Sequence, residues 1–299
     1  MKSPKMHTDE LDIDVPLVRR LLAGQFPEWL ELPIAQVEPA GTDNVIYRLG
    51  NDMAIRLPRL PQHAERLEKE RLWLPRLAPL LPLAVPIPLA IGKPTEGYPF
   101  EWSVYRWLEG ETATLDRLAD PLQTAIDLAD FVAALQLIDP TGGPAPGAHN
   151  AGRGAPLATR DGPMRKAIAA LRDELDADAV TAAWERALEA PIWQGTPVWI
   201  HGDLDSRNLL VRAGRLSAVL DFGCLGIGDP ACDVMVAWKL LPANVRDAFR
   251  TALSIDEATW ARARGWVLSQ ALNALGYYTV ETNAVLVLEA RRWLGEVLA

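Results

Sequence analysis

The chain has 299 residues, of which 49% are hydrophobic and 23% charged, a composition typical of soluble globular proteins that excludes a largely disordered chain. The net charge of −9 disfavours binding to nucleic-acid phosphates. The two cysteines are too few for a disulfide framework, and no run approaches the roughly 18 apolar residues of a membrane span. We therefore expect a cytoplasmic protein without nucleic-acid or membrane partners.

The first 108 residues predict a small α+β lobe. Residues 1–10 are polar and are expected to be loosely ordered. β-Prone runs separated by Gly, Asn and Asp turns, together with one segment of helical periodicity, predict five strands around one helix. The strands are expected at 33–41, 44–50, 52–58, near 87–92 and at 100–108, and the helix at 61–77.

Residues 109–299 predict a larger, mostly helical lobe, with the boundary between the lobes near 108–112. Helices are expected at 118–139, 163–175 and 178–190 and over most of the chain from 231 onward, with a Gly- and Pro-rich loop at 141–156. Short strands are expected near 198–200, 209–212 and 216–220, the last two joined by an Ala-Gly turn.

Polar residues interrupt an otherwise apolar stretch in "WIHGDLDSRNLL", residues 199–210. Asp203 is followed five residues later by Asn208, and Asp221 stands thirteen residues further on. The predicted hairpin between them would bring Asn208 and Asp221 side by side, and two such oxygen donors suit Mg²⁺ together with phosphate oxygens. Asp203 would then accept a proton near the metal. Taken singly, each of the three residues is also typical of an ordinary turn.

The spacing His-x-Asp-x-x-x-x-Asn followed by Asp-Phe-Gly is that of the kinase catalytic loop and metal-binding triplet. The combination of "HGDLDSRNLL" with "VLDFGCLGIGDPACDV" resembles the aminoglycoside phosphotransferase family, from about residue 37 to the C-terminal helices. This resemblance implies a two-lobed, protein-kinase-like fold and Mg²⁺-dependent transfer of the γ-phosphoryl group of ATP or GTP to a hydroxyl of a small molecule. An aminoglycoside antibiotic is the favoured acceptor. Kinases of macrolides, choline, methylthioribose and other alcohols show similar sequences, so these acceptors stay open.

The resemblance also assigns the charged residues of the first lobe. Arg56 in "MAIR" takes the place of the Lys in the kinase pattern "VAIK" and is expected to bind phosphate. Glu70 on the following helix is expected to pair with it, with Glu68 as the alternative.

Nucleotide contacts of the backbone are implied at two further places. Thr42 and Asn44 are expected to donate their N–H groups to phosphate, although the segment lacks a Gly-x-Gly-x-x-Gly pattern and an ordinary hairpin turn fits it equally well. The base is expected to bond the backbone of Arg106 and Leu108, with Tyr105 lining the pocket.

Three further polar residues are assigned structural roles. His201 is expected to bond the backbone of the loop, and Asp229 and Asp233 are expected to brace the loop from below. Asp205 departs from the family pattern "HGDLHPGN" and leaves two interpretations open. It either contacts a cationic acceptor or the metal, or it lies in a solvated loop tip facing Arg207.

Two rival functions agree less well with the sequence than small-molecule phosphorylation does. A non-catalytic nucleotide-binding protein would lack the base or a metal ligand, but all three are present. A protein kinase would need a long segment after Asp-Phe-Gly, whereas Asp229 follows Asp221 by only eight positions. The choice between ATP and GTP and between a monomer and a homodimer stays open.

Overall fold

The computed structural model describes residues 11–37, 43–95 and 97–299, which form two compact units. Residues up to Leu80, together with Ala84–Glu109 and Ala218–Gly223, make the first unit. The second unit consists of Leu81–Leu83, Gly110–Ser217 and Cys224–Ala299. A sheet dominates the first unit and helices dominate the second, which confirms the predicted α+β class.

The first unit is built on a five-stranded antiparallel sheet with the order β1-β2-β3-β5-β4. Its strands are β1 Ile34–Gln36, β2 Asn44–Leu49, β3 Met53–Pro58, β4 Pro88–Gly92 and β5 Trp102–Arg106. In β3, Ile55 and Leu57 are buried on one face, whereas Arg56 between them belongs to the other face. The period-2 alternation of the sequence therefore decides which face of the sheet receives the charged side chain.

Two helices pack in this unit, so the prediction of a single helix is wrong. The expected helix is present as α2, Pro61–Leu77, and the additional helix is α1, Val15–Gln25. α1 begins where the Asp14 side chain accepts a hydrogen bond from the backbone N–H of Leu17, a standard N-cap. Its buried face joins the sheet in one core, and the residues of that face are Leu17, Val18, Leu21 and Leu22. The Asp cap followed by apolar residues at helical spacing was a usable signal in the sequence.

Helices form most of the second unit. They are α3 Pro121–Leu137, α4 Asp161–Ala170, α5 Ala177–Glu189, α6 Ala231–Val234, α7 Val236–Lys239, α8 Arg246–Ala252, α9 Glu257–Tyr277 and α10 Val280–Leu298. The long helix α9 is buried over most of its length and packs against α4, α5, α6 and α10. Among the described helices, none is long and apolar enough to cross a membrane.

Short strands frame the loop that carries the polar motif. They are β6 Glu111–Thr112, β7 Val198–Ile200, β8 Leu209–Arg212, β9 Arg215–Val219 and β10 Gly226–Gly228. β7 pairs with β10, β6 pairs with β8, and Ala213 and Gly214 form the turn after β8 with φ of 50° and 79°. Residues 201–208 of the motif thus connect β7 to β8, and these two strands hold both ends of the loop.

If α1 belongs to the core of the first unit, Leu22→Ala will lower the free energy of unfolding by about 2–5 kcal/mol, because Leu22 is fully buried. Leu72→Ala is the matched control, since Leu72 on α2 is 46% exposed and its truncation should cost less than about 0.5 kcal/mol. Chemical denaturation of both variants measures the difference. Equal, small effects would show that α1 contributes little to the core.

Candidate active site

A buried ion pair joins β3 to α2 in the first unit. Arg56 Nη1 donates to both carboxylate oxygens of Glu70, at 2.8 and 2.6 Å. Arg56 is 13% exposed and Glu70 is fully buried, whereas Glu68, the alternative partner, is exposed. The structure thus brings together the two residues that the sequence paired.

Tyr105 and Asp221 complete this cluster. The Tyr105 hydroxyl donates to Glu70 Oε2 at 2.6 Å, and Arg56 Nη2 lies 3.3 Å from Asp221 Oδ1. Burial would lower the pKa of Arg56, but the charges of Glu70 and Asp221 outweigh burial and raise that pKa well above its usual value. Burial raises the pKa of Tyr105, and the neighbouring Glu70 carboxylate raises it further. Arg56 is therefore a permanent cation, and Tyr105 contributes a neutral hydroxyl.

Asp221 begins the Asp-Phe-Gly segment with an unusual backbone conformation. Its φ is 56°, in the left-handed region, and its Oδ1 accepts a hydrogen bond from the Gly223 N–H at 3.2 Å. Lys69 on α2 donates to the Gly223 carbonyl oxygen at 2.8 Å, which ties the segment to the helix. The Asp221 side chain is 39% exposed, so a carboxylate held on one oxygen remains accessible.

The backbone positions expected to bind a nucleotide lie at strand ends. Asn44 is the first residue of β2, whereas Thr42 lies outside the described residues. The Trp107 N–H donates to the Asp52 carbonyl oxygen at 2.7 Å, so the N–H and C=O of Arg106 point to the other side of β5. β4 lies on that side, but its first residue, Pro88, pairs with Tyr105 rather than with Arg106. Leu108 follows the end of the strand and is half-buried.

The loop after β7 is held by one carboxylate of the second unit. Asp233 on α6 is fully buried and accepts hydrogen bonds from the backbone N–H groups of His201 and Gly202, both at 2.7 Å. Burial raises the pKa of Asp233, although these two donors oppose the rise. His201 in turn accepts the Asp203 N–H on Nδ1 at 3.2 Å, so its imidazole supports the loop backbone.

The next turn of the loop places Asp203 and Asn208 together. Asn208 Nδ2 donates to the Asp203 carbonyl oxygen at 2.9 Å, so the amide oxygen Oδ1 is the atom of this side chain that could hold a metal. The Asp203 carboxylate is 27% exposed, and Arg153 Nη2 lies 3.8 Å from its Oδ1. Arg153 also donates to the Gly202 carbonyl oxygen at 2.8 Å, so it contacts the loop at two points.

Asp205 is fully buried, so the interpretation as a solvated loop tip is wrong. Its Oδ1 accepts the Arg207 backbone N–H at 2.9 Å, and Oδ2 lies 2.5 Å from Arg207 Nη2 and 3.3 Å from Lys239 Nζ. Burial would raise the pKa of Asp205, but the charges of Arg207 and Lys239 outweigh burial and hold that pKa well below its usual range. The expected proximity to Arg207 is observed, but the enclosed carboxylate is not open to an acceptor.

Asp229 forms a second buried ion pair beneath the loop. Arg262 on α9 donates to both of its oxygens, from Nε at 2.7 Å and from Nη2 at 3.1 Å. The Ala231 N–H donates to Asp229 Oδ1 at 3.0 Å, so the same carboxylate orders the start of α6. Because Asp233 lies on α6, the pair with Arg262 stabilises the helix that holds the loop.

Sequence reasoning missed Lys239 and Arg153, the two cations beside Asp203. Lys239 is a lone charge in the apolar run "VMVAWKLL", and a charged residue in such a run is rarely buried without a partner. This isolation was a usable signal. Arg153 lies in the Gly- and Pro-rich loop, where nothing in the spacing distinguishes it from a solvated residue.

The donor set fits Mg²⁺ better than a transition metal. Among the described residues, no group of three or more His, Cys, Asp or Glu side chains could hold a metal ion. Mg²⁺ usually takes only a few oxygen ligands from protein, while phosphates supply others. The Asp221 carboxylate and the Asn208 amide oxygen are ligands of this kind. Asn208 belongs to the second unit and Asp221 to the first, so their joint role stays a prediction.

Comparisons with known proteins identify the class of this chain. The model of the phosphotransferase enzyme family, APH, matches residues 35–266, so the chain belongs to that family. No curated protein sequence matches it significantly. The family assignment confirms the resemblance seen in the catalytic-loop and Asp-Phe-Gly motifs.

Solved structures of the same fold include antibiotic phosphotransferases. The GDP and kanamycin complex of APH(2″)-IIia is 20% identical, with a TM-score of 0.72, covering 94% of this chain and 98% of that chain. Macrolide 2′-phosphotransferase MphH from Brachybacterium faecium is 25% identical, with a TM-score of 0.62, covering 93% and 97%. The streptomycin–ATP complex of APH(2″)-IIa is 16% identical, with a TM-score of 0.59, covering 87% and 90%. The protein-kinase-like fold predicted from the sequence is thereby confirmed.

The loop geometry predicts that Gly202 tolerates no larger residue. Gly202 has a φ of 82°, and an added Cβ would lie 2.6 Å from the Cys224 carbonyl oxygen. Gly152→Ala is the matched control, because Gly152 has a φ of 70° and open space around its Cα. Both variants should lose about 1–2 kcal/mol from backbone strain. Gly202→Ala should lose about 1–3 kcal/mol more from the clash. Denaturant unfolding measures the difference, and equal losses would contradict the described packing.

Proposed function

We propose that this protein transfers the γ-phosphoryl group of ATP or GTP to a hydroxyl group of a small molecule. The observation that carries the proposal is the loop around Asp203. The Asp203 carboxylate is partly exposed, and hydrogen bonds to Asp233 hold the backbone just before it. The neighbouring Asn208 amide has an oxygen that is available to a metal. Membership of the phosphotransferase enzyme family supports this reaction class.

Residues of the first unit are proposed to bind the donor nucleotide. Arg56 is a permanent cation whose guanidinium is oriented by Glu70, so it can neutralise phosphate oxygens without moving. The backbone N–H and C=O of Arg106 point away from β3 and lie beyond the first pair of β4 with β5, and they are proposed to bond the edge of the base. Leu108, Tyr105 and the start of β2 at Asn44, with Thr42 before it, complete the proposed nucleotide set.

Asn208 and Asp221 are proposed to hold Mg²⁺. When bound, the ion would neutralise phosphate oxygens and hold the donor for in-line attack. The Asn208 amide is oriented by its bond to the Asp203 carbonyl, and the Asp221 carboxylate is oriented by Arg56 and Gly223. Both ligands are therefore held in place before any nucleotide arrives.

Asp203 is proposed to orient the acceptor hydroxyl and take its proton. The hydroxyl oxygen forms a bond to the γ-phosphorus, the bond from that phosphorus to the bridging oxygen breaks, and a nucleoside diphosphate leaves. Because the transition state of phosphoryl transfer is loose, the proton moves late and the base need not be strong. Positioning and electrostatic stabilisation then account for most of the catalysis.

An aminoglycoside is the first candidate acceptor. The related structures with kanamycin and with streptomycin hold such compounds, and a net charge of −9 favours a cationic acceptor. A macrolide is the second candidate, because the macrolide phosphotransferase MphH is 25% identical over nearly the whole chain. Asp205 is not proposed to contact either acceptor, since its carboxylate is enclosed by Arg207 and Lys239.

If Asp203 is the base, Asp203→Ala will lower kcat by about 10²- to 10⁴-fold while the melting temperature stays near that of the wild type. The measurement is nucleoside diphosphate release with an accepted substrate and Mg²⁺. Asp173→Ala is the control, since Asp173 is an exposed carboxylate on the surface of the second unit. Full turnover by Asp203→Ala would remove Asp203 from the base role.

The acceptor class can be tested with a panel of aminoglycosides, macrolides, choline and methylthioribose, each offered with ATP and with GTP. We expect phosphorylated product with at least one aminoglycoside, because a cationic acceptor suits the acidic chain. Mass spectrometry of the product identifies the transferred phosphoryl group. Turnover of a macrolide or another alcohol with none of any aminoglycoside would reject the first candidate and retain the reaction.

A further inference from the structure

Lys239 is a fully buried cation at the end of α7, directly behind the catalytic loop. Its Nζ donates to Gln270 Oε1 at 2.6 Å, lies 3.3 Å from Asp205 Oδ2, and stands 4.3 Å from the centre of the Trp293 ring. Removing an ammonium group from water costs several kcal/mol unless such partners compensate for it. Three different elements of the second unit therefore cooperate to keep this charge inside the protein.

The same ammonium group lies 3.8 Å from Asp203 Oδ1. This distance is too long for a hydrogen bond but short enough for strong attraction where water is excluded. Arg153 approaches the same oxygen at 3.8 Å, so the closest approach of both cations to the carboxylate is at Oδ1. The carboxylate is thus drawn to one side by charge.

We infer that Lys239 is a positioning residue for the catalytic carboxylate: Asp205 and Gln270 hold its ammonium group where it orients Asp203 toward the acceptor. This inference rests on the proposed phosphoryl transfer. It also accounts for the departure of this chain from the family pattern at Asp205. In this arrangement the Asp205 carboxylate anchors the ammonium group of Lys239, which extends from α7.

Stability alone does not explain the arrangement. Asp205 already receives three hydrogen bonds from Arg207, so Lys239 is not needed to neutralise it. Because Asp205 keeps its hydrogen bonds from Arg207 without Lys239, an apolar residue at position 239 would not leave that carboxylate unpaired. What Lys239 adds is a fixed positive charge beside Asp203.

The kinetic test compares Lys239→Met with the wild type and with Arg264→Met. Arg264 on α9 is the matched control, a partly buried cation that donates only to the Val297 carbonyl oxygen. Lys239→Met should lower kcat about 10- to 100-fold, as loss of an orienting partner typically does. The KM values for nucleotide and acceptor should stay within about twofold, because ground-state binding is untouched. Arg264→Met should leave kcat unchanged. If Lys239→Met does not fold, Lys239→Gln removes the charge and keeps a hydrogen-bonding group.

A second test needs no turnover. The melting temperatures of the wild type, Lys239→Met, Asp203→Asn and the double variant form a thermodynamic cycle. If the ammonium group acts on the Asp203 carboxylate, the loss in the double variant will be smaller than the sum of the two single losses. A role confined to Asp205 and Gln270 would make the two losses additive.

The outcomes separate this inference from the proposed function. Unchanged kcat in folded Lys239→Met, or additive melting temperatures, overturns the positioning role and leaves phosphoryl transfer in place. A wild-type protein that transfers no phosphoryl group to any acceptor or to water overturns the proposed function, and the positioning role falls with it. A loss of kcat at constant KM together with a non-additive cycle supports both.

Discussion

The candidate catalytic loop depends on one buried carboxylate that accepts two consecutive backbone N–H groups. Asp233 bonds the amides of His201 and Gly202, and Gly202 has the positive φ that turns the chain immediately before Asp203. A buried charge without donors would be neutralised, so the two amides and the carboxylate stabilise one another. Because the pair of Asp229 with Arg262 orders the helix that carries Asp233, the position of Asp203 is set by buried residues beneath the loop.

Buried, paired charges lie beside the candidate functional residues in both units. In the first unit Arg56 is paired with Glu70 and in the second Asp205 is paired with Arg207 and Lys239. Such pairs add little net stability compared with an apolar core, but breaking one side leaves a costly unpaired charge. Their value here is geometric, because a bidentate or triply held ion has one favoured orientation. The charged groups are therefore oriented before ligands bind, as electrostatic stabilisation of a transition state requires.

The sequence-based predictions succeeded mainly where the structure depends on residues close together in the chain. The strands and α2 follow from period-2 and helical patterns, which are local properties. The pairing of Arg56 with Glu70 was found because the kinase pattern orders a strand cation before a helix carboxylate. α1 was missed although its Asp14 cap and apolar face are local as well. For Asp205 the sequence left contact with an acceptor or the metal and a solvated loop tip open, because its burial depends on α7, more than thirty residues away.

The sequence by itself determined the class of the protein, because the family pattern consists of short motifs whose spacing can be read directly. It also determined the order of the elements that carry them. Only the tertiary structure decided which charges surround Asp203 and Asp205. Lys239 reaches Asp205 and Asp203 because helices distant in sequence pack together and exclude water, and the pairing of a buried charge depends on what encloses it rather than on its neighbours along the chain.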